Sequence, residues 1–178
     1  MQETLPVPAE TAIPNSHTLC IVPSSWADRQ DIYNILMHSG IFNQSDADCV
    51  DGMFGEAFNK VSDDNYRFIS CREGDHLLGF ACFGRESLTH GTWDLFWVCV
   101  AADARRKGAG RALLAEVQRQ AAHKSVRLIV IYTSSTDRYA PARNLYESMG
   151  FICTAKVPDY YAEKDHLLIY TQRIARKE

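Results

Sequence analysis

A chain of 178 residues with 46% hydrophobic and 23% charged residues has the size of one domain and enough apolar material for a core, which excludes a disordered polymer. Its net charge of −3 excludes a molecule-wide polyanion-binding surface, so any basic patch has to be local. The opening "MQETLPVPAETAIPNSH" lacks a basic stretch followed by an apolar run, and no segment nears the roughly 20 apolar residues that cross a bilayer, so neither export nor membrane insertion is expected.

Residues 1–16 carry Pro6, Pro8 and Pro14 with little periodicity and are expected to form a flexible N-terminal arm, leaving 17–178 as a single domain. "HTLCIVP" reads as a first strand ending at Pro23. In "SWADRQDIYNILMHSG" the spacing of Ile32, Ile35 and Leu36 predicts a helix stopped by Gly40. "NQSDADCVDGMFGEAFNKV" predicts a second helix, weakened by Gly52 and Gly55. Two strands follow, "YRFISCR" and "HLLGFACFG", joined by a Glu73-Gly74-Asp75 turn, and the aromatic and branched "TWDLFWVCV" is a third. From Gly110 to about His123, the stripe Leu113, Leu114, Val117, Ala121 predicts a helix. The continuous apolar run "VRLIVIY" suits a strand covered on both faces. "APARNLYESMG" predicts a helix with Pro141 near its start and Gly150 just past its end. "FICTAKV" and "HLLIYTQRI" close the chain as strands around a turn, "PDYYAEKD". This order, with no repeat or linker, implies one layered α/β domain.

Most of the six cysteines (Cys20, Cys49, Cys71, Cys82, Cys99, Cys153) lie in apolar strand-like runs without a CxxC pair. They are expected to be small buried thiols of a cytoplasmic protein, and the missing paired spacing argues against zinc or another metal.

The stretch "VCVAADARRKGAGRALLAEV" leads from an apolar strand through Arg105, Arg106, Lys107 and two glycines into a helix. A nucleotide P-loop needs GxxxxGK followed by Ser or Thr, which is absent. A dinucleotide fingerprint needs a third glycine where Leu113 stands, and seven residues separate Val100 from Gly108. A pyrophosphate seat at a helix N-terminus fits better. Four backbone N–H groups lack internal partners there, and Gly108 and Gly110 let an anion approach them. The competing reading is a solvated basic loop that caps a helix. Nucleic-acid binding is disfavoured, since the basic stretch is short and the remaining chain acidic.

Arg105-Arg106-Lys107-Gly108-Ala109-Gly110 resembles the (Q/R)-x-x-G-x-(G/A) motif of the GNAT superfamily of acetyl-CoA-dependent N-acyltransferases. The preceding "VCV" strand and "ARNLYESMGF" downstream are similar to the family's flanking elements, so the likeness covers about Thr92 to Ile174. "THGTWDLFW" and "TSS" with a later Tyr139 resemble a bacterial-type subgroup. The resemblance implies a GNAT fold: a mixed, mostly antiparallel sheet of about seven strands with splayed central strands and flanking helices. It implies acetyl-CoA as co-substrate, no metal, and a primary amine of a small molecule or peptide as acceptor, possible homodimers included. Backbone at Val98, Cys99 and Val100 would hold pantetheine. Backbone from Arg106 through Lys107, Gly108, Ala109 and Gly110 to Arg111 would hold the pyrophosphate, with the Arg105, Arg106, Lys107 and Arg111 side chains adding phosphate contacts.

Acetyl transfer to an amine needs a base, because a free alkyl amine with pKa near 10.4 arrives protonated, and an acid for the departing thiolate. The resemblance makes Tyr146 the candidate acid; by pattern alone the better reading is a core residue of an amphipathic helix beside Leu145 and Met149. Asp94, interrupting an apolar strand, is the candidate base, with a pKa raised if buried; a hydrogen-bonded structural carboxylate is the alternative. Strand alternation places residues 94, 96, 98 and 100 on one face unless a bulge intervenes, and Cys99 or Val100 N–H is the candidate oxyanion donor. The family often has an asparagine seven residues before the tyrosine; here that position is Tyr139, so its role passes to Ser134, Ser135 or Asn144, or is lost. A covalent role for Cys99 is disfavoured, because apolar surroundings raise a thiol's pKa. Carboxylates at 46, 48, 51 and 56 and at 159, 163 and 165 are candidates to attract a cationic acceptor, alongside Tyr160 and Tyr161. The alternative to an enzyme is a GNAT-like sensor that binds acyl-CoA without turnover.

Overall fold

The computed structural model describes residues 18–59 and 66–175. The expected N-terminal arm lies outside the described residues. Seven strands and four α-helices follow the order read from the sequence: β1 (Leu19–Pro23), α1 (Arg29–His38), α2 (Gln44–Phe58), β2 (Arg67–Glu73), β3 (His76–Arg85), β4 (Thr92–Val100), α3 (Ala109–His123), β5 (Leu128–Ser134), α4 (Ala140–Ser148), β6 (Ile152–Ala162) and β7 (Asp165–Arg173). They form one sheet in the order β1-β2-β3-β4-β5-β7-β6. Every neighbouring pair is antiparallel except β4 and β5. Parallel neighbours need a crossover, and α3 supplies it.

Helices cover both faces. On one face α3 lays Leu113, Leu114, Val117 and Ala121 over Leu95, Ile129 and Ile131, with Tyr146 of α4 in the same core. On the other, Ile32, Ile35 and Leu36 of α1 and Ala47, Val50 and Phe54 of α2 cover Phe68, Phe80, Cys82 and Cys99. α2 survives Gly52 and Gly55 because its first turn is well capped. Asn43 accepts from Asp46 N at 3.1 Å, and the Asp46 carboxylate accepts from Asn43 N at 2.8 Å.

Two expectations change. α1 starts at Arg29 after a short 3-10 turn at Trp26–Asp28. The expected turn "PDYYAEKD" is mostly strand: β6 runs on to Ala162, and only Glu163 and Lys164 turn the hairpin. Pro158 and a left-handed Asp159 (φ 52) are tolerated because β6 is an edge strand with an irregular register between Val157 and Ala162. The cysteine expectation holds for Cys71, Cys82 and Cys99; Cys20, Cys49 and Cys153 are exposed, and all six are free. No helix among the described residues is long and apolar enough to cross a membrane.

Gly79 of β3 lies against the end of β4, where an added Cβ would stand 2.6 Å from the Cys99 carbonyl oxygen. Backbone on both sides cannot yield as a flexible side chain would. Gly79→Ala is therefore expected to cost about 2 kcal/mol, read as a lowered urea midpoint with unchanged slope.

Candidate active site

β4 leaves β5 part-way along its length. Their pairing covers Thr92, Trp93 and Asp94 against Leu128, Ile129 and Val130, while the other edge of β4 stays paired with β3 through Val100. From Leu95 onward the strands diverge and leave backbone groups without ladder partners along a wedge. The β3–β4 register also shifts: Cys82 opposes Trp97 and Phe83 opposes Leu95, so Phe96 is a bulge.

That bulge reverses the alternation. Trp93, Leu95, Val98 and Val100 all belong to the α3-side core, whereas Phe96, Trp97 and Cys99 pack toward α1 and α2. Residues 94, 96, 98 and 100 therefore do not share one face. Asp94, between Trp93 and Leu95, faces the α1–α2 side with Cys99, away from Val98 and Val100.

At the end of β4 the chain enters α3 through the basic glycine loop. Gly110 sits where a Cβ would come within 3.0 Å of Leu145 and 3.6 Å of Val100, which brings the helix start against both the strand and α4. The first hydrogen bond of α3 runs from Ala112 N to Gly108 O at 2.9 Å. The N–H groups from Arg105 to Arg111 donate to no protein acceptor among the described residues, and no side chain caps the helix. The backbone is left-handed at Arg106 (φ 62) and Gly108 (φ 90), so the loop turns sharply into the start of α3. Two of the four expected phosphate side chains are engaged elsewhere. Arg105 Nη2 donates to Ser39 O at 2.5 Å, and Arg111 donates to Ser148 Oγ at 2.8 Å and Met149 Sδ at 3.0 Å. Arg106 and Lys107 are exposed.

Tyr146 is buried, edge-on to Phe151 and Tyr170 at ring separations of 6.3 and 5.8 Å. Its hydroxyl makes no hydrogen bond among the described residues. Burial pushes the phenol well above the ordinary value of 10, with Tyr139, Cys99 and Tyr170 within electrostatic reach. Burial also pushes the Cys99 thiol up to about 12, so Cys99 stays protonated and is a poor nucleophile. Tyr146 belongs to the α3-side core and Cys99 to the α1–α2 side, close enough for their charges to interact.

Asp94 is 6% exposed. Burial first, then the charge of Glu86 and a hydrogen bond between the two carboxyl groups, raise it from 3.8 to about 6. Tyr132 of β5 lies close enough to feel both carboxylates, with its own phenol raised by burial first and then by these charges. The sequence did not single out Glu86 or Tyr132. Glu86 has the right parity, two residues beyond the Gly84 that opposes Asp94, but a six-residue connection hides that register.

The Asn144 side chain is exposed on α4 and makes no hydrogen bond among the described residues. The Ser134 hydroxyl donates to Asp165 at 2.6 Å and Ser135 Oγ accepts from His166 N at 2.9 Å, so both serines tie β5 to β7. Tyr139 is half-buried and packs edge-on against Phe42, which packs in turn on Trp97 at 5.3 Å. Two arginines hold the start of the loop that carries Phe42, Arg105 donating to Ser39 O and Arg138 to Gly40 O. Five of the seven acidic residues expected to attract an acceptor have internal duties: Asp51 pairs with Arg29 at 2.6 Å, Asp46 caps α2, Asp48 accepts from Gln44 at 2.8 Å, Asp159 accepts from Lys164 N at 2.8 Å, and Asp165 accepts from Ser134. Tyr160 and Tyr161 are exposed. A separate hollow of about 460 Å³ between α1 and the β4–α3 connection is lined by none of the candidate residues. Among the described residues no three His, Cys, Asp or Glu side chains converge as a metal site.

A seven-stranded mixed sheet whose central strands part beside an uncapped glycine-rich helix start is the acyl-CoA N-acyltransferase architecture. Residues 29–151 match the family model described as acetyltransferase (GNAT) family, and the chain belongs to that family. It is 30% identical over 93 residues to the uncharacterised N-acetyltransferase YsnE of Bacillus subtilis, a match spanning 52% of this chain and 60% of that relative. A crystal structure from Desulfovibrio desulfuricans assigned to the GNAT acetyltransferases superposes with a TM-score of 0.82 at 31% identity, covering 89% of this chain and all of the other. The fold also matches yncA of Salmonella typhimurium, solved with acetyl-CoA, at a TM-score of 0.71 and 20% identity over 89% of this chain and 95% of that one.

Proposed function

We propose that the protein is an acetyl-CoA-dependent N-acetyltransferase that acts on a primary amine of a small molecule or peptide by direct transfer within a ternary complex. The observation that carries this reading is the run of free N–H groups from Arg105 to Arg111, placed where β4 and β5 part. Such a run, open to water in the free chain, suits a diphosphate, and yncA, which shares the fold, was solved with acetyl-CoA. The residues fit the co-substrate: the unpaired edge of β4 from Val98 to Val100 accepts an amide-bearing arm as a further strand would. Acetyl-CoA, when bound, supplies a thioester carbonyl open to attack by an amine.

Asp94 takes the ammonium proton on its carboxylate. Its raised proton affinity makes it roughly a hundredfold better base than an ordinary aspartate. Val100 N–H, on the open edge of β4, donates to the oxygen where negative charge develops, whereas the Cys99 N–H faces β3 and leaves that role to Val100. Tyr146 Oη gives its proton to the departing sulfur. Burial raises the phenol, and the same desolvation would raise the proton affinity of a departing thiolate beside it. Exposed Tyr132, Tyr160 and Tyr161 offer an aromatic wall on the acceptor side. Six free cysteines favour a reducing compartment, and we place the reaction in the cytoplasm.

The test is release of CoA thiol across an amine panel. Tyr146→Phe is expected to lower kcat by about 100-fold or more with acetyl-CoA affinity unchanged within about twofold. Tyr139, standing where the family often has asparagine, favours the second reading, a sensor that binds acyl-CoA without turnover. Binding of acetyl-CoA with no amine-dependent thiol release would select it.

A further inference from the structure

We infer that Glu86 and Asp94 form a carboxyl pair, with Glu86 as the positioning residue that sets the pH range in which Asp94 accepts the amine's proton. This rests on the proposed transferase reading for its role in turnover, but the pair stands on geometry. Gly84 opposes Asp94 across the β3–β4 ladder, and Glu86 N donates to Thr92 O at 3.0 Å. Residues 84 and 86 thus face the same side as residues 92 and 94, which brings the two carboxyl groups diagonally together. Leu88 N donates to Glu86 Oε1 at 3.3 Å and fixes the carboxylate from its solvent side. Asp94 is buried while Glu86 is half-exposed, so the pair runs from the dry wedge to water.

Among the described residues, the groups facing Asp94 are few. Glu86 approaches from the end of β3, Tyr132 from β5, and Tyr160 of β6 stands beyond Tyr132. Arg67 of β2 lies over the Trp93 ring at 5.8 Å, on the opposite face of the sheet. The local balance is therefore anionic and aromatic. When Asp94 is ionised, an incoming ammonium is attracted. Its N–H bond breaks, an O–H bond forms on Asp94, and Glu86 accepts a hydrogen bond from that new proton. Water at Glu86 then removes the proton and restores the pair. Below the pH at which Asp94 already holds its proton, no acceptance is possible.

The experiment is a 13C NMR titration of side-chain carboxyls in the free protein, run beside the pH profile of kcat/KM. One carboxyl should titrate near pH 6 and vanish in Asp94→Asn. In Glu86→Gln, where an amide donor replaces a like charge, that midpoint should fall by about one pH unit, and in Glu86→Asp by less. The acid limb of kcat/KM should move by the same amount, with KM for acetyl-CoA unchanged. A midpoint that ignores Glu86→Gln overturns the pair. A midpoint that moves while the acid limb stays put overturns its part in transfer. If the wild type turns over no amine, the transferase reading fails by itself, and the titration, which needs no acceptor, still judges the pair.

Discussion

Asp94→Asn is expected to lower kcat by about 1,000-fold and, above pH 6, to make the fold more stable. Both effects come from one group. Burial and the Glu86 charge raise the folded-state value of Asp94 from the ordinary 3.8 to about 6, so the folded chain holds this proton more tightly than the unfolded chain does. The contribution favours the fold below about pH 4, and it is lost as pH rises from there through 6. Above that range the protein carries a buried, like-charged carboxylate at a cost of about 3 kcal/mol. Asparagine keeps the shape and some hydrogen bonding without the charge. At pH 8 the variant should melt roughly 6–12 °C higher than the wild type, and at pH 4.5 most of that gap should close. Equal melting differences at both pH values would show that Asp94 is not raised. Unchanged turnover would remove it as the base.

A residue that weakens its own fold at neutral pH is expected where chemistry needs a strong base in a dry place. The sequence displayed half of this: one carboxylate inside "TWDLFWVCV". The other half depends on the register across the β3–β4 hairpin and on a bulge at Phe96, and neither is local. Strict alternation would have put Asp94 beside Val98 and Val100. One extra residue turns those two valines to the opposite face, which a period-2 reading cannot anticipate.

The same division runs through the chain. Helices and strands were legible because their stripes and capping residues are short-range signals, and the glycine loop because its spacing is. Arg105 and Arg111 were read as phosphate ligands from their proximity in sequence. In the fold each reaches a different element instead, Ser39 after α1 and Ser148 of α4. The acidic run from Asp46 to Glu56 suggested a cation-attracting surface, yet Asp46 is a helix cap and Asp51 an arginine partner. The turn around Pro158 was misplaced because proline and aspartate usually end a strand, and only the position of β6 at the sheet edge lets them stay.

Gly108→Glu is expected to abolish acetyl-CoA binding while the fold survives. Gly108 caps α3 with φ 90, and an added Cβ would meet only Leu19 Cδ1 at 3.7 Å, so the steric space is adequate and the cost is backbone strain of about 1–2 kcal/mol. Gly108→Ala incurs the same strain with no charge and is the control. At 100 times its dissociation constant acetyl-CoA should stabilise the wild type by about 2.7 kcal/mol, a melting increase of roughly 5–10 °C. Gly108→Ala should start lower yet keep most of that increase. Gly108→Glu should start equally low and show none, because its carboxylate occupies the N–H groups that a diphosphate needs and repels what remains of the charge. The comparison isolates the anion seat from helix stability, since both variants strain the same residue. A full increase in Gly108→Glu would mean that the free N–H groups from Arg105 to Arg111 hold no phosphate, and the wedge between β4 and β5 would then lose its reason to face them.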